Sequence, residues 1–177
     1  KGVVGLDLTR LFVGSEGVLG ILSEATLKIL PLNNSVKTFE ITFETLKSAS
    51  DMIIMLMTQP ITPYKLEFVD EQSVKLINSI KKNHFEINTK SAVLLEIDGD
   101  VDFIDIQSKK LLKLMQSKEH KKITIAENKT EIAELWKARK SLSPALKEIG
   151  GYKINEDIAV PISNLTRLLN NLSAISK

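Results

Sequence analysis

Apolar and polar positions along this chain fall into blocks of two different periods. In residues 37–45, Phe39, Ile41 and Phe43 stand on one side and polar residues on the other, a period of two that predicts a half-buried strand. Residues 46–59 follow with a helical spacing, and Pro60 and Pro63 stop it. The same reading predicts strands at 64–70, 92–98 and 122–126, the second ended by the turn pair Asp98 and Gly99. Helices are predicted at 71–82 and 101–118, and a third from Glu131 with Asn128 or Thr130 as its cap. Gly150 and Gly151 end that helix. A strand at 152–160 and an amphipathic helix at 162–175, capped by Ser163 after Pro161, complete the pattern.

Strict alternation of strand and helix ordinarily argues for a parallel sheet buried on both faces. Here the strands carry charges at alternate positions, as Lys65 and Glu67 do around Leu66 and Phe68, so one face is covered and the other partly wet. The expectation is therefore an α+β fold, a mainly antiparallel sheet with helices packed on one face. Residues 1–32 differ in character, because Gly2, Gly5, Gly14, Gly17 and Gly20 crowd into them and Pro31, Asn33 and Asn34 close the stretch with turn chemistry. A boundary is expected there, between residues 1–32 and residues 33–177.

Composition narrows the function classes. Of 177 residues, 43% are hydrophobic and 26% charged, which places the chain among globular proteins. The 24 Lys and Arg against 22 Asp and Glu leave +2, with the signs interspersed, so nucleic acid is not an expected partner. The longest apolar run, residues 52–57, is far short of the ~20 residues that span a bilayer. No Cys is present, which excludes disulfides and thiolate chemistry and points to a reducing, cytoplasmic compartment. The first residues show neither an initiator Met nor a targeting core, so the chain is expected to begin inside a longer protein.

Two segments carry candidate chemistry. In residues 11–21, Gly14, Gly17 and Gly20 recur every three positions in an apolar setting. Glycine admits positive φ and close backbone approach, so the segment reads either as a phosphate-facing loop or as a tight turn between a helix and a strand. The spacing matches neither the Rossmann nor the Walker pattern. In the helix after Glu131, Ile132, Leu135, Trp136, Leu142 and Leu146 form one stripe with Arg139 and Ser143 in its middle. Arg is scarce, with Arg10, Arg139 and Arg167 alone, and a guanidinium on an apolar face needs a ligand, a core carboxylate such as Glu67 or Glu96, or a route to solvent. Pro144 is expected to kink that helix or to end it in favour of a second short one. His84 and His120 read as surface residues, Met52, Met55 and Met57 as core packing, and Lys109, Lys110 and Lys113 as a solvated face.

Residues 7–27, DLTRLFVGSEGVLGILSEATL, closely resemble the end of the FAD-binding domain in FAD-linked oxidases, the relatives of glycolate oxidase and D-lactate dehydrogenase. Family members usually carry Thr at the places of Val18 and Ser23. The resemblance implies that Gly14, Gly17, Gly20 and Ile21 lie along the adenosine diphosphate part of FAD. It continues through Trp136-Lys137-Ala138-Arg139-Lys140, Tyr152-Lys153 and residues 156–161, which are similar to the family's substrate-side helix and following strand. There it implies that Arg139 clamps a substrate carboxylate, with Ser143 as a neighbouring hydroxyl and Lys153 as a nearby lysine. A planar guanidinium meets a 2-hydroxy acid's carboxylate with two parallel hydrogen bonds.

By the same resemblance, residues 1–32 are the C-terminal edge of the FAD-binding domain and 33–177 part of a ferredoxin-like substrate domain. The family's pyrophosphate loop then lies before residue 1 and its His-containing metal and catalytic motif after residue 177. These 177 residues are thus expected to hold no catalytic residue and no metal, to be inactive alone, and not to retain FAD. The implied whole is an FAD-dependent 2-hydroxy-acid dehydrogenase or oxidase. It takes a small 2-hydroxy acid, passes electrons to partner electron-transfer subunits, and works in the cytoplasm or peripherally at the inner membrane face. The competing expectation is a non-catalytic, ferredoxin-like interaction or regulatory domain.

Overall fold

The computed structural model describes residues 3, 5–29, 32–82, 84–150 and 157–175. The chain divides into two compact units, residues 1–32 and 33–177. The second is built on a four-stranded sheet, in which β1 (Ser35–Phe43), β2 (Lys65–Val69), β3 (Ser91–Gly99) and β4 (Lys122–Ala126) lie in the order β2-β3-β1-β4. Every pairing is antiparallel. This is the α+β, antiparallel architecture expected, with the order of a ferredoxin-like split βαβ fold.

Period two decides the faces. Phe39, Ile41 and Phe43 of β1 sit beside Leu95, Val93 and Ser91 of β3 in register. With Ile97 they form the apolar face, against which α2 (Leu46–Thr58) lays Ala49, Met52, Ile53 and Leu56, and α4 (Val101–Gln116) lays Ile104, Leu111 and Met115. A final helix, α7 (Leu165–Ile175), packs on α2, where Thr166 Oγ1 lies 3.0 Å from Ser50 Oγ. Met52 is fully buried and Met55 packs against the core, but Met57 is exposed, because α2 turns it away from the sheet.

The expectation that helices pack on one face alone is corrected by the structure. α3 (Glu71–Ile80) and α5 (Lys129–Lys140) cover part of the second face, and Val74, Ile77, Leu135, Trp136 and Ala138 cluster there with Val69, Ala92, Leu94 and Ala126. This second face is mixed. Lys65, Glu67, Glu96, Thr38, Glu40 and Thr42 point to it between the apolar positions, and the helices above must satisfy those that they bury.

Caps set the helix starts. The side chains of Thr45, Asp70 and Asp100 accept from backbone N–H groups of the first turns of α2, α3 and α4. Asn128 Oδ1 accepts from Glu131 N at 2.9 Å, while Glu131 Oε2 accepts from Glu127 N at 3.1 Å, so the start of α5 is satisfied reciprocally. α5 ends at Lys140, and α6 (Leu142–Glu148) begins after Ser141, with Pro144 in its first turn, where a missing N–H costs nothing. Gly150 then takes φ +86°, the left-handed exit that only glycine adopts without strain.

Three expectations end differently. Ser163 lies inside a 3-10 turn (Ile162–Asn164) rather than capping a helix. Residues 157–160 join no strand, and 152–156 of the expected final strand lie outside the described residues. The turn in residues 11–21 leads to no strand among residues 20–29.

In the first unit, α1 (Leu8–Phe12) is capped by Asp7, whose Oδ1 accepts from Arg10 N at 3.2 Å. Two tight turns follow, closed by Ser15 N donating to Phe12 O and Val18 N donating to Ser15 O. Gly14, Glu16 and Gly17 take φ of +84°, +50° and +83°.

Candidate functional site

The second face of the sheet carries a cleft of about 890 Å³, walled by Val36, Ile132, Ala133 and Trp136 and rimmed by Lys65, Lys129, Lys137 and Lys140. Glu67, Glu96 and Glu127 also line it. It exists because α5 stands over a sheet whose alternate residues on this side are polar.

Glu96, in the middle of β3, is 3% exposed and fully engaged. Its Oε2 accepts from Trp136 Nε1 at 2.7 Å and from Thr38 Oγ1 at 3.0 Å, and Lys65 Nζ pairs with its Oε1. The Lys65 ammonium also lies 5.3 Å from the Trp136 ring centroid and 4.7 Å from that of Tyr64. A buried carboxylate is tolerated only when paired and hydrogen-bonded, and here β1, β2 and α5 supply the partners. The register explains the meeting, since Lys65 and Thr38 are the cross-strand neighbours of Glu96 on either side.

Arg139 lies on α5 almost one turn beyond Trp136. Its Nε pairs with Glu67 of β2, and the two side chains are 39% and 35% exposed. Of the carboxylates considered from the sequence, Glu67 is the one that meets the guanidinium, while Glu96 meets Trp136 instead. Ser143 lies on α6, half-buried and beyond the break at Ser141, so the single helical stripe predicted through Arg139 and Ser143 is divided between two helices. Leu146, placed on that stripe, is exposed, and Ala145 is buried in its stead. Lys153 lies outside the described residues.

A second polar pair has no motif to announce it. His84, expected at the surface, is 9% exposed, and its Nε2 lies 3.0 Å from Oε2 of Glu40, itself 7% exposed. The His84 ring meets Phe85 edge-on at 4.5 Å. The turn after α3 is held down by Asn78, which both donates to Phe85 O and accepts from Phe85 N. Nothing in the sequence signals it, because Glu40 reads as the polar side of β1 and its burial is seen only in the fold. His120 is at the surface as expected, its Nδ1 2.8 Å from Lys118 O.

In the first unit, an added Cβ at Gly14 or Gly17 would meet nothing within 4 Å, so the backbone there is open as well as left-handed. Val13, Val18, Ile21 and Leu22 around them are exposed. Open backbone between exposed apolar side chains has room for a cofactor that is part phosphate and part flat ring. Gly20 is small for another reason, because a Cβ there would stand 3.1 Å from the Phe12 ring.

Residues 32–177 match the family described as FAD linked oxidases, C-terminal domain, and the chain belongs to that family. It is 32% identical to glycolate oxidase subunit GlcD of Bacillus subtilis, over 98% of this chain and 38% of that protein. It is 30% identical to the mitochondrial D-lactate dehydrogenase [cytochrome] of Arabidopsis thaliana, over 96% of this chain and 30% of that protein. The chain thus spans between 30% and 38% of the length of these relatives. Among solved structures it resembles alkyldihydroxyacetonephosphate synthase, with a TM-score of 0.61 at 16% identity over 84% of this chain and 30% of that one, which supports the fold. No helix among the described residues is long and apolar enough to cross a membrane.

Proposed function

We propose that the chain is the middle part of an FAD-dependent 2-hydroxy-acid dehydrogenase or oxidase. Residues 1–32 are its contribution to the flavin domain's edge and 33–177 much of its substrate domain. The observation that carries this reading is Arg139. It is presented from a helix anchored through Trp136 to the central strand, with its guanidinium in an ion pair exposed enough to be exchanged. A half-exposed pair contributes about 0–1 kcal/mol to folding, so Arg139 is poorly explained as a structural device. It is better explained as a receptor for the substrate carboxylate.

In this reading, Arg139 grips the carboxylate of glycolate, D-lactate or a similar acid and orients its α-carbon, with Ser143 and Lys153 beside it. Gly14, Gly17, Gly20 and Ile21 line the adenosine diphosphate part of FAD. When bound, FAD would supply the acceptor for the hydride of the α-carbon, and the hydroxyl proton would go to a base outside these 177 residues, giving a 2-oxo acid. Electrons then pass to partner subunits in the cytoplasm or at the inner membrane face. The glycolate oxidase subunit and the D-lactate dehydrogenase among the relatives support this choice of substrate class.

Arg139→Lys in the flavin-loaded enzyme that contains this chain tests it. Lys keeps the charge but cannot make the bidentate contact. Loss of one charge-assisted hydrogen bond of ~1.5–3 kcal/mol lowers kcat/KM roughly tenfold to a hundredfold, with the melting temperature nearly unchanged. A lowered melting temperature with kcat/KM within about threefold of the parent would remove Arg139 from the site.

A further inference from the structure

The ion pair between Arg139 and Glu67 puts a carboxylate of the protein where, on the reading above, a carboxylate of the substrate belongs. Glu67 sits on β2, an edge strand of the sheet, and it also lines the cleft. Glu67 and Arg139 are each more than a third exposed, and the guanidinium reaches Glu67 through its Nε. The contrast with Glu96 is instructive. That carboxylate is sealed under Trp136 and engaged on both oxygens, as a structural carboxylate on this face must be. Among the described residues Glu67 has one charged partner, and it has a solvent-facing side, so it can leave Arg139 without stranding a buried charge.

We propose that Glu67 is a built-in competitor for the Arg139 guanidinium, a displaceable counter-ion that a small 2-hydroxy carboxylate must replace on binding. The inference rests on the assignment of Arg139 to substrate binding and extends it. A competing carboxylate holds the guanidinium in place while the site is empty. It also sets a threshold: a ligand gains from Arg139 only by bringing a carboxylate at least as well matched to the fork as Glu67. A neutral hydroxy compound of the same size cannot displace it. The apparent affinity for the true ligand is correspondingly lower than the intrinsic one, by the fraction of molecules in which Arg139 is free. Once released, the Glu67 carboxylate lies in a cleft rimmed by Lys65, Lys129, Lys137 and Lys140, where solvent and ammonium groups receive it.

The test is equilibrium binding of oxalate, an unreactive carboxylate, to the flavin-loaded enzyme containing this chain. It is measured by calorimetry for the parent, Glu67→Gln, Glu67→Ala and Arg139→Lys, and for Glu67→Gln combined with Arg139→Lys. Both Glu67 variants should bind oxalate roughly fivefold more tightly than the parent, the equivalent of about 1 kcal/mol and the upper end of what a half-exposed pair holds. KM for D-lactate or glycolate should fall in parallel, and the gain should shrink in the Arg139→Lys background. If Arg139→Lys weakens oxalate binding while both Glu67 variants stay within twofold of the parent, the competitor is overturned and the carboxylate site stands. If Arg139→Lys leaves oxalate binding unchanged, the carboxylate site falls and the competitor with it. A lowered melting temperature in both Glu67 variants without tighter binding makes Glu67 a structural partner and overturns the proposal.

Discussion

Trp136 Nε1 donates to Glu96 Oε2 at 2.7 Å, a bond that ties α5 to the central strand of the sheet almost one turn before Arg139. It fixes the rotation of the helix, because the indole, the Lys65 ammonium above it and Leu135 beside it leave α5 one way to face the sheet. The position of the guanidinium therefore depends on a buried hydrogen bond made elsewhere on the same helix.

Trp136→Phe keeps most of the ring's bulk and removes the donor. A hydrogen bond to a charged group contributes about 1.5–3 kcal/mol, and urea unfolding of the variant should show a loss in that range. Thr38 and Lys65 remain on Glu96, so the protein should still fold. A loss under about 0.5 kcal/mol would show that the indole merely packs.

Glu40 and His84 give a second stability prediction. His84→Ala leaves a buried carboxylate without its imidazole and should cost about 1–3 kcal/mol. Adding Glu40→Gln should recover part of that, since a neutral amide is cheaper to bury than an unpaired carboxylate. A double-mutant cycle with zero coupling would mean that the two side chains are neighbours and nothing more.

The Lys37 ammonium lies 2.7 Å from Asp105 Oδ1 and 3.1 Å from Glu127 Oε1. Hydrogen bonding from Lys37 holds the Asp105 carboxyl below its ordinary value, and the same bond from Asp105, with Glu127 assisting, holds the Lys37 ammonium above its own. A lowered carboxyl stabilises the fold above the unfolded value of about 3.9, and this is lost as pH falls through the folded value. A raised ammonium stabilises it below about 10.4, and this is lost as pH rises through the folded value. Lys37→Gln should flatten both limbs of a melting-temperature profile taken across the acid range around the first value and the alkaline range around the second. Unchanged slopes on both limbs would show that the three charges are screened from one another by solvent.

The 177-residue chain purified alone should be colourless and should not oxidise hydroxy acids. Gly14 and Gly17 offer open backbone, but the pyrophosphate loop and the histidine motif of the family, as the resemblance places them, are outside it. A visible spectrum with near-stoichiometric flavin absorbance would contradict this.

Asn128→Ala should destabilise the chain by about 1 kcal/mol, because it leaves a first-turn N–H of α5 without its acceptor. Circular dichroism during thermal unfolding is sufficient to measure it. An unaltered melting temperature would assign the capping to Glu131 alone, whose carboxyl is held below its ordinary value chiefly by the Glu127 N–H.

What the sequence determined by itself is local and periodic. Phe39, Ile41 and Phe43 could share only one face of an extended strand, Asn128 stood at the right spacing to cap a helix through Glu131, and Pro144 required α5 to stop or bend. The family resemblance of the glycine segment and of the motif around Arg139 was equally legible, because its information lies in adjacent residues. Tertiary structure decided the pairings between distant ones. Glu96 and Glu67 were both available to Arg139 on paper, until the register of β2 against β3 put Glu96 under Trp136 and left Glu67 at the edge. His84 looked like any loop histidine until the turn after α3 folded it over Glu40, 44 residues away. A buried carboxylate must find a partner, but which partner depends on strand order and helix placement, and no spacing along the chain encodes either.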